Sequence, residues 1–189
     1  MNIFPTTSIN NFFKEPDKIV EYAKKLKYKK SKTGSYPGER TENLSKINYE
    51  LFNSTIYSIL SMYYEDLESI GYSDTYLGFH KIKPYSKSLK DIKNKGWIHH
   101  DGVALGGLIY LNKKSYPESG TNLYTPKKEP VENENAIKTK LDFYKKNKIN
   151  LSQYKKEMAS MENKFTQTHT FNNIYNTLVA FDGFQWHSV

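Results

Sequence analysis

The sequence predicts a mainly β domain with flanking helices, an α+β arrangement, and three observations point to it. From Tyr76 onward, short runs such as YLGFHKIKPY, GWIHHDGVALGGLIYLN, GTNLYTP, HTFNNIYNTLVAF and FQWHSV are broken by Gly, Asn and Pro, as strands and turns are. Before Tyr76, two segments carry apolar residues at helical spacing. The apolar content is supplied largely by rings, with 16 Tyr and 10 Phe in 189 residues, enough to build a core and too much for a disordered chain. A chain of this length fits one domain. We divide it into helical support over 1–75 and a strand core over 76–189, interrupted by an insertion over 126–164.

The first helix is predicted from Pro16 to Leu26, because proline suits a first turn and Ile19, Val20, Ala23 and Leu26 share one face. The stretch Ser31 to Arg40, containing SYPGER, breaks it. In the second helix Phe52, Ile56, Ile59, Leu60, Tyr63 and Leu67 keep the spacing until Gly71 stops it. Within the charged insertion, Ile137, Leu141 and Tyr144 align as one helical piece, and Leu151, Tyr154, Met158 and Met161 as another. The insertion is expected to cover the strand core and, as a lid, to help select a substrate.

Composition narrows the chemistry. With no cysteine, neither disulfides nor thiolate ligands nor a Cys nucleophile can contribute, so any metal must be held by His and carboxylate. No apolar run approaches a membrane span, and the opening residues lack a signal-peptide pattern, so a soluble, cytoplasmic protein is expected, without a membrane partner. The formal net charge of +8 is spread over scattered lysines, with arginine only at Arg40. Readers of nucleic-acid grooves rely on clustered arginine, so the charge argues weakly for such a partner.

In WIHHDG the strand period of two sends His99 and Asp101 to one face and His100 to the other. An imidazole and a carboxylate then converge, two of the three donors that a non-haem ferrous centre places on one face of an octahedron. The third should be a histidine late in the chain, and His187 lies in FDGFQWHSV. NTLVAF, an Asp-Gly turn and the following aromatic run read as a hairpin with His187 near the start of its returning strand. His80 and His169 lack metal-like partners at suitable spacing and read as structural. Trp97 either walls the pocket or belongs to the core. No HExxH motif supports a zinc hydrolase.

The ordered set of the HHDG-to-YLN hairpin, GTNLY and YNTLVAFDGFQWHS resembles the 2-oxoglutarate and Fe(II)-dependent oxygenases, and within them the small prolyl-4-hydroxylase-like members. The resemblance covers roughly residues 76 to 189, and NFFKEPDKIVEYA and YPGERT extend it toward the N-terminus. It implies a double-stranded β-helix, that is, a cupin-like jelly roll. It also implies Fe(II) on His99, Asp101 and His187, with 2-oxoglutarate and O2 as cosubstrates and ascorbate as accessory reductant. The activity implied is hydroxylation, by analogy of a peptide or amino-acid side chain, coupled to release of succinate and CO2. Tyr110 matches the place of a residue that touches 2-oxoglutarate. Members of that family also carry a basic residue about ten positions past the distal histidine to pair with the cosubstrate's far carboxylate. Here that position falls beyond Val189, so we expect a truncated final strand, with Lys81, Lys83 and Arg40 as substitutes otherwise. An unpaired edge there could pair with a second copy. The alternatives are a cupin-like metal-binding protein of other chemistry and a basic binding module without oxygenase turnover.

Overall fold

The structure, a computed structural model, describes residues 4–30, 36, 38–71, 74–82, 97–115, 119–128 and 151–188. The mixed α+β class is observed, as four helices and antiparallel strands in three small sheets. The expected helical piece at Ile137, Leu141 and Tyr144 lies outside the described residues, as does Lys83.

Strand β1 (Thr7–Asn10) leads into helix α1 (Pro16–Lys24), which starts at a proline and carries Asp17 in its first turn and Lys24 in its last, matching the helix dipole at both ends. Strands β2 (Lys29–Lys30) and β3 (Glu39–Arg40) follow, then the short helix α2 (Leu44–Ile47) and α3 (Tyr49–Leu60). Asn48 caps α3 by accepting the Leu51 N–H at 3.0 Å, and the helix buries Phe52, Thr55 and Ile56 along one face. Leu44, Phe52 and Ile56 make a core cluster that Tyr22 and Leu26 of the first helical region close from the other side.

The second helix ends at Leu60, short of the Leu67 that its periodicity suggested. Ser54, Ser58 and Ser61 turn their hydroxyls onto the carbonyls of Leu51, Ser54 and Ser58, which competes with helix propagation. Beyond Leu60 the chain turns so that Tyr63 and Tyr64 meet the Phe4 ring edge-on, at 5.3 and 6.1 Å between centroids. Two aromatic contacts outside the helix thus replace a further helical turn.

Strand β4 (His80–Lys81) joins β2 and β3 in one sheet, in the order β2-β3-β4. Strand β5 (Leu105–Tyr110) pairs with β8 (Thr177–Asp182), and β1 lines the other edge of β8. All six residues of β8 are buried, as expected for a central strand covered on both faces. The third sheet holds β6 (Gly120–Pro126) between β7 (Phe165–Asn172) and β9 (Trp186–Ser188). Leu123 of this sheet packs with Tyr110, Val179 and Phe181 of the β8 sheet, so the two sheets face each other across a shared core.

The insertion connects the two arms of the β6–β7 pair, since Pro126 is opposite Phe165. Its described helix α4 (Leu151–Glu162) does not stand over the site as a lid. Met158 and Met161 are buried with Trp97, Ile98 and Phe165, so α4 is part of a core cluster behind the histidine-bearing segment. Trp97 belongs to that cluster and is not a pocket wall, because the segment before His99 is irregular and the strand period does not hold across it.

Two hairpins expected from the sequence are absent. β8 and β9 flank the Asp-Gly turn yet lie in different sheets, and the segment from His99 to Tyr110 likewise touches β9 at one end and β8 at the other. Both segments cross between the sheets at the same level, a corner that turn chemistry alone does not distinguish from a hairpin. Removing the Met161 side chain should therefore cost ~2–5 kcal/mol, the usual range for emptying a core position. Urea unfolding of Met161→Ala measures it, with a loss under ~1 kcal/mol showing that α4 does not seal this core.

Candidate metal centre

His99 and His187 face each other across an isolated antiparallel bridge. The His187 N–H donates to the His99 carbonyl at 2.7 Å, and the His99 N–H donates to the His187 carbonyl at 2.9 Å. Directly opposed residues of an antiparallel pair share a face, so both imidazoles project to the same side, with ring centroids 4.4 Å apart. Leu123 is paired with His187 from β6 and carries the same face into the core between the sheets.

Asp101 is brought to this face by the chain corner. Gly183 accepts the N–H groups of Asp101 and Gly102 at 2.9 and 3.1 Å and donates its own to Ala104 at 3.1 Å. A side chain at Gly183 would collide with the Val103 carbonyl, so the two crossing segments approach as only glycine permits. Gly102, with φ +68°, takes the left-handed conformation that turns the chain directly after Asp101. The corner is locked by Asp182, whose buried carboxylate accepts the N–H groups of Phe184 and Phe4. The Asp-Gly pair was legible in the sequence as a turn. Its role as a clasp for the His99–Asp101 segment was not, because both hydrogen bonds to the Gly183 carbonyl are long-range.

The structure thus brings His99, Asp101 and His187 together, with one ligand-type atom of each within 4.8 Å of the others. His99 Nε2 lies 3.6 Å from Asp101 Oδ1, and His187 Nε2 lies 3.7 Å from Asp101 Oδ2. Each imidazole is fixed from behind. His99 Nδ1 is 2.8 Å from the Trp97 carbonyl and His187 Nδ1 is 2.9 Å from the Gln185 carbonyl. A carbonyl only accepts, so each Nδ1 carries the proton and each neutral ring turns its Nε2 lone pair inward. Two lone pairs and a carboxylate then point at one another with no proton between them, an arrangement that repels unless a cation lies among them. The same two-residue relation, a ring held by the carbonyl two positions upstream, orders both histidines.

The electrostatics agree with ligand roles. Burial pushes the His187 imidazole down to about 4, with the neighbouring His99 adding to it, so the ring is neutral at physiological pH. Burial works against ionisation of Asp101, but the approach of His99 and the charges of His187, His99 and Arg40 outweigh it and hold the carboxyl below its ordinary value. The site is asymmetric in access: the His187 side chain is 9% exposed, whereas His99 and Asp101 are 36% and 43% exposed. Small molecules would reach it from the His99–Asp101 side.

His100 lies apart from this convergence, its ring against Phe184 and Trp186 at 5.6 and 4.8 Å. Tyr110 is buried in the core between the sheets, where burial pushes its hydroxyl up to about 12 and the hydroxyl donates to Thr121 at 2.8 Å. His80 is an exposed residue of β4 beside Tyr36, and His169 an exposed residue of β7 beside Phe171. Lys81 is stacked over Tyr28 with Nζ 3.6 Å from the ring centre. The sequence reading passed over the carbonyls of Trp97, Gly183 and Gln185, since no residue type announces a backbone acceptor.

Two outcomes follow from this geometry. Gly183→Ala should lower stability by ~1–3 kcal/mol, as overpacking does, and weaken divalent-metal binding at least tenfold; calorimetric titration with Co(II) and unchanged affinity would contradict the clasp. In the metal-free protein, the unfolded chain takes up a proton near pH 6.5 that folded His187 resists until about 4, so stability falls as pH drops through that window, by ~3 kcal/mol in all. The depressed Asp101 acts below it, contributing stability that is lost only as pH falls under 3.8. Urea midpoints from pH 7 to 4 should slope less for His187→Gln than for the parent.

Among the described residues, no helix is long and apolar enough to cross a membrane. Neither the curated proteins nor the solved structures contain a match to the chain. A family model does match, over residues 4–189, and by it the chain belongs to DUF6445, a family of unknown function.

Proposed function

We propose that the protein is a non-haem Fe(II) oxygenase that uses 2-oxoglutarate and O2 to hydroxylate a substrate C–H bond, with His99, Asp101 and His187 as the iron ligands. The observation that carries this reading is the pair of inward-facing Nε2 lone pairs opposed to an ionised carboxylate, two imidazoles and one carboxylate on one face with an open side. That donor set suits ferrous iron better than zinc, which favours closed tetrahedral sites or a third nitrogen or sulfur ligand. The facing sheets, with β8 and β9 on opposite sides of one corner, are compatible with a double-stranded β-helix, which we adopt as the finer description of the fold.

When bound, iron and 2-oxoglutarate would supply the oxidising power that delivers an oxygen atom to carbon. The chain's own part is to hold and to shield. The Trp97 and Gln185 carbonyls keep both rings oriented, and the Gly183 carbonyl keeps Asp101 at the corner. Phe181, 4.8 Å from the His187 ring, and Leu123 close the inner side against water. Tyr110 donates to Thr121, so its hydroxyl can offer only a lone pair; donating to the carboxylate of 2-oxoglutarate would require it to leave Thr121. A peptide or amino-acid side chain is the substrate class this reading favours.

The test is succinate release on mixing the Fe(II)-loaded protein with 2-oxoglutarate in air, which His99→Ala, Asp101→Ala and His187→Ala should each reduce at least ~100-fold. His100→Ala, outside the convergence, should stay within a few-fold of the parent. Equal loss in His99→Ala and His100→Ala would contradict the ligand assignment. Metal binding with no succinate at all would favour the cupin-like alternative. Steeply salt-dependent nucleic-acid binding without 2-oxoglutarate consumption would favour the basic binding module.

A further inference from the structure

The β2-β3-β4 sheet has two unlike faces. Register places Lys29, Arg40 and His80 opposite one another, and Lys30, Glu39 and Lys81 opposite one another one residue along. Opposed residues share a face, so the acid and its counter-charge lie on the second face, where Lys30 Nζ is 4.0 Å from Glu39 Oε1. The first face carries Lys29, Arg40 and His80 with no carboxylate in the row.

Arg40 is the chain's one arginine, against 27 lysines, and it is half-buried. Its guanidinium carbon sits 4.1 Å from the centre of the Tyr36 ring, and the same ring meets His80 edge-on at 5.7 Å. Stacking on an aromatic face holds a guanidinium plane while leaving its N–H edges available, which is how arginine is presented to a bidentate oxyanion. Among the described residues no carboxylate lies within ion-pair distance of Arg40. The nearest negative charge it influences is Asp101, whose carboxyl its field helps to hold ionised, so this face looks toward the metal centre.

We propose that Arg40, seated on Tyr36 and flanked across the strands by Lys29 and His80, binds a carboxylate or phosphate of the substrate and so presents a neighbouring C–H bond to the His99–Asp101–His187 centre. The presentation to iron rests on the oxygenase reading; the oxyanion site itself does not. A lysine at this position would supply charge without the planar fork, and in a chain this rich in lysine the single arginine is the exception the site requires.

Because the chain has one arginine, its side-chain Nε–H gives one signal in a ¹H–¹⁵N spectrum of the full chain, a reporter that needs no substrate. On metal-free protein, sodium acetate and sodium phosphate should each move that signal saturably, beyond what sodium chloride does at equal ionic strength, and the tighter of the two names the oxyanion. Tyr36→Leu should weaken the response about threefold, the value of the lost stacking. No movement beyond the chloride control overturns the proposal, whatever the metal centre does. Mn(II) should broaden the His187 and Arg40 signals together; broadened His187 with sharp Arg40 places the arginine too far away and also overturns it. If Mn(II) broadens neither, the iron reading fails, and the anion titration still decides the Arg40 site. On Zn(II)-loaded protein, 2-oxoglutarate that moves the Arg40 signal at lower concentration than acetate and phosphate would make Arg40 a cosubstrate anchor and refute a substrate role.

Discussion

Two backbone hydrogen bonds between His99 and His187 join parts of the chain that share no local structure, and the site exists because of them. They align two residues in antiparallel register, which sends both imidazoles to one face without help from either side chain. The carbonyl of Gly183 then ties Asp101 to the same place. Slipping that pairing by one residue would exchange His187 for Trp186 or Ser188 and leave a carboxylate with one imidazole, so the register itself determines the donor set.

Around that bridge the packing divides into an inner and an outer side. Inward, Leu123, Tyr110, Val179 and Phe181 fill the space between two sheets and bring apolar surface against the buried His187. Outward, Trp186 packs with Trp97, Ile98, Phe165 and the methionines of α4, so the insertion serves as the far wall of the bridge. A bulge in the β6–β7 pair falls between Leu123 and Tyr124, level with the pairing of Leu123 to His187, and the Thr168 hydroxyl donates to the Leu123 carbonyl there. Irregular pairing beside a site re-aims side chains that a regular ladder would fix elsewhere.

The arrangement also sorts charge. A neutral buried imidazole, an ionised carboxylate and a more exposed imidazole make a net anionic cup that a divalent cation would neutralise, and the arginine beyond Asp101 adds positive field on the open side. An anionic molecule arriving at that side is therefore drawn by Arg40 and by any metal present, while the inner side stays apolar. Function is argued here from that site, since the fold class alone is shared by proteins of unrelated activity.

Read alone, the sequence determined the composition of the site and the class of the fold. Absence of cysteine left His and carboxylate as ligands, and the period of two around His99 and Asp101 set the candidate donors. Helix α1 was legible because its proline start and apolar face are local signals, and α3 was legible as far as its cap and buried face, while its end depended on Phe4 meeting Tyr63 and Tyr64. Tertiary structure alone decided that the Asp182–Gly183 turn is a corner between sheets, that Trp97 and α4 are core, and that Arg40 faces the Asp101 side. Periodicity and turn residues report energies between near neighbours, whereas a corner, a clasp or a facing charge is settled by contacts between residues far apart in the chain.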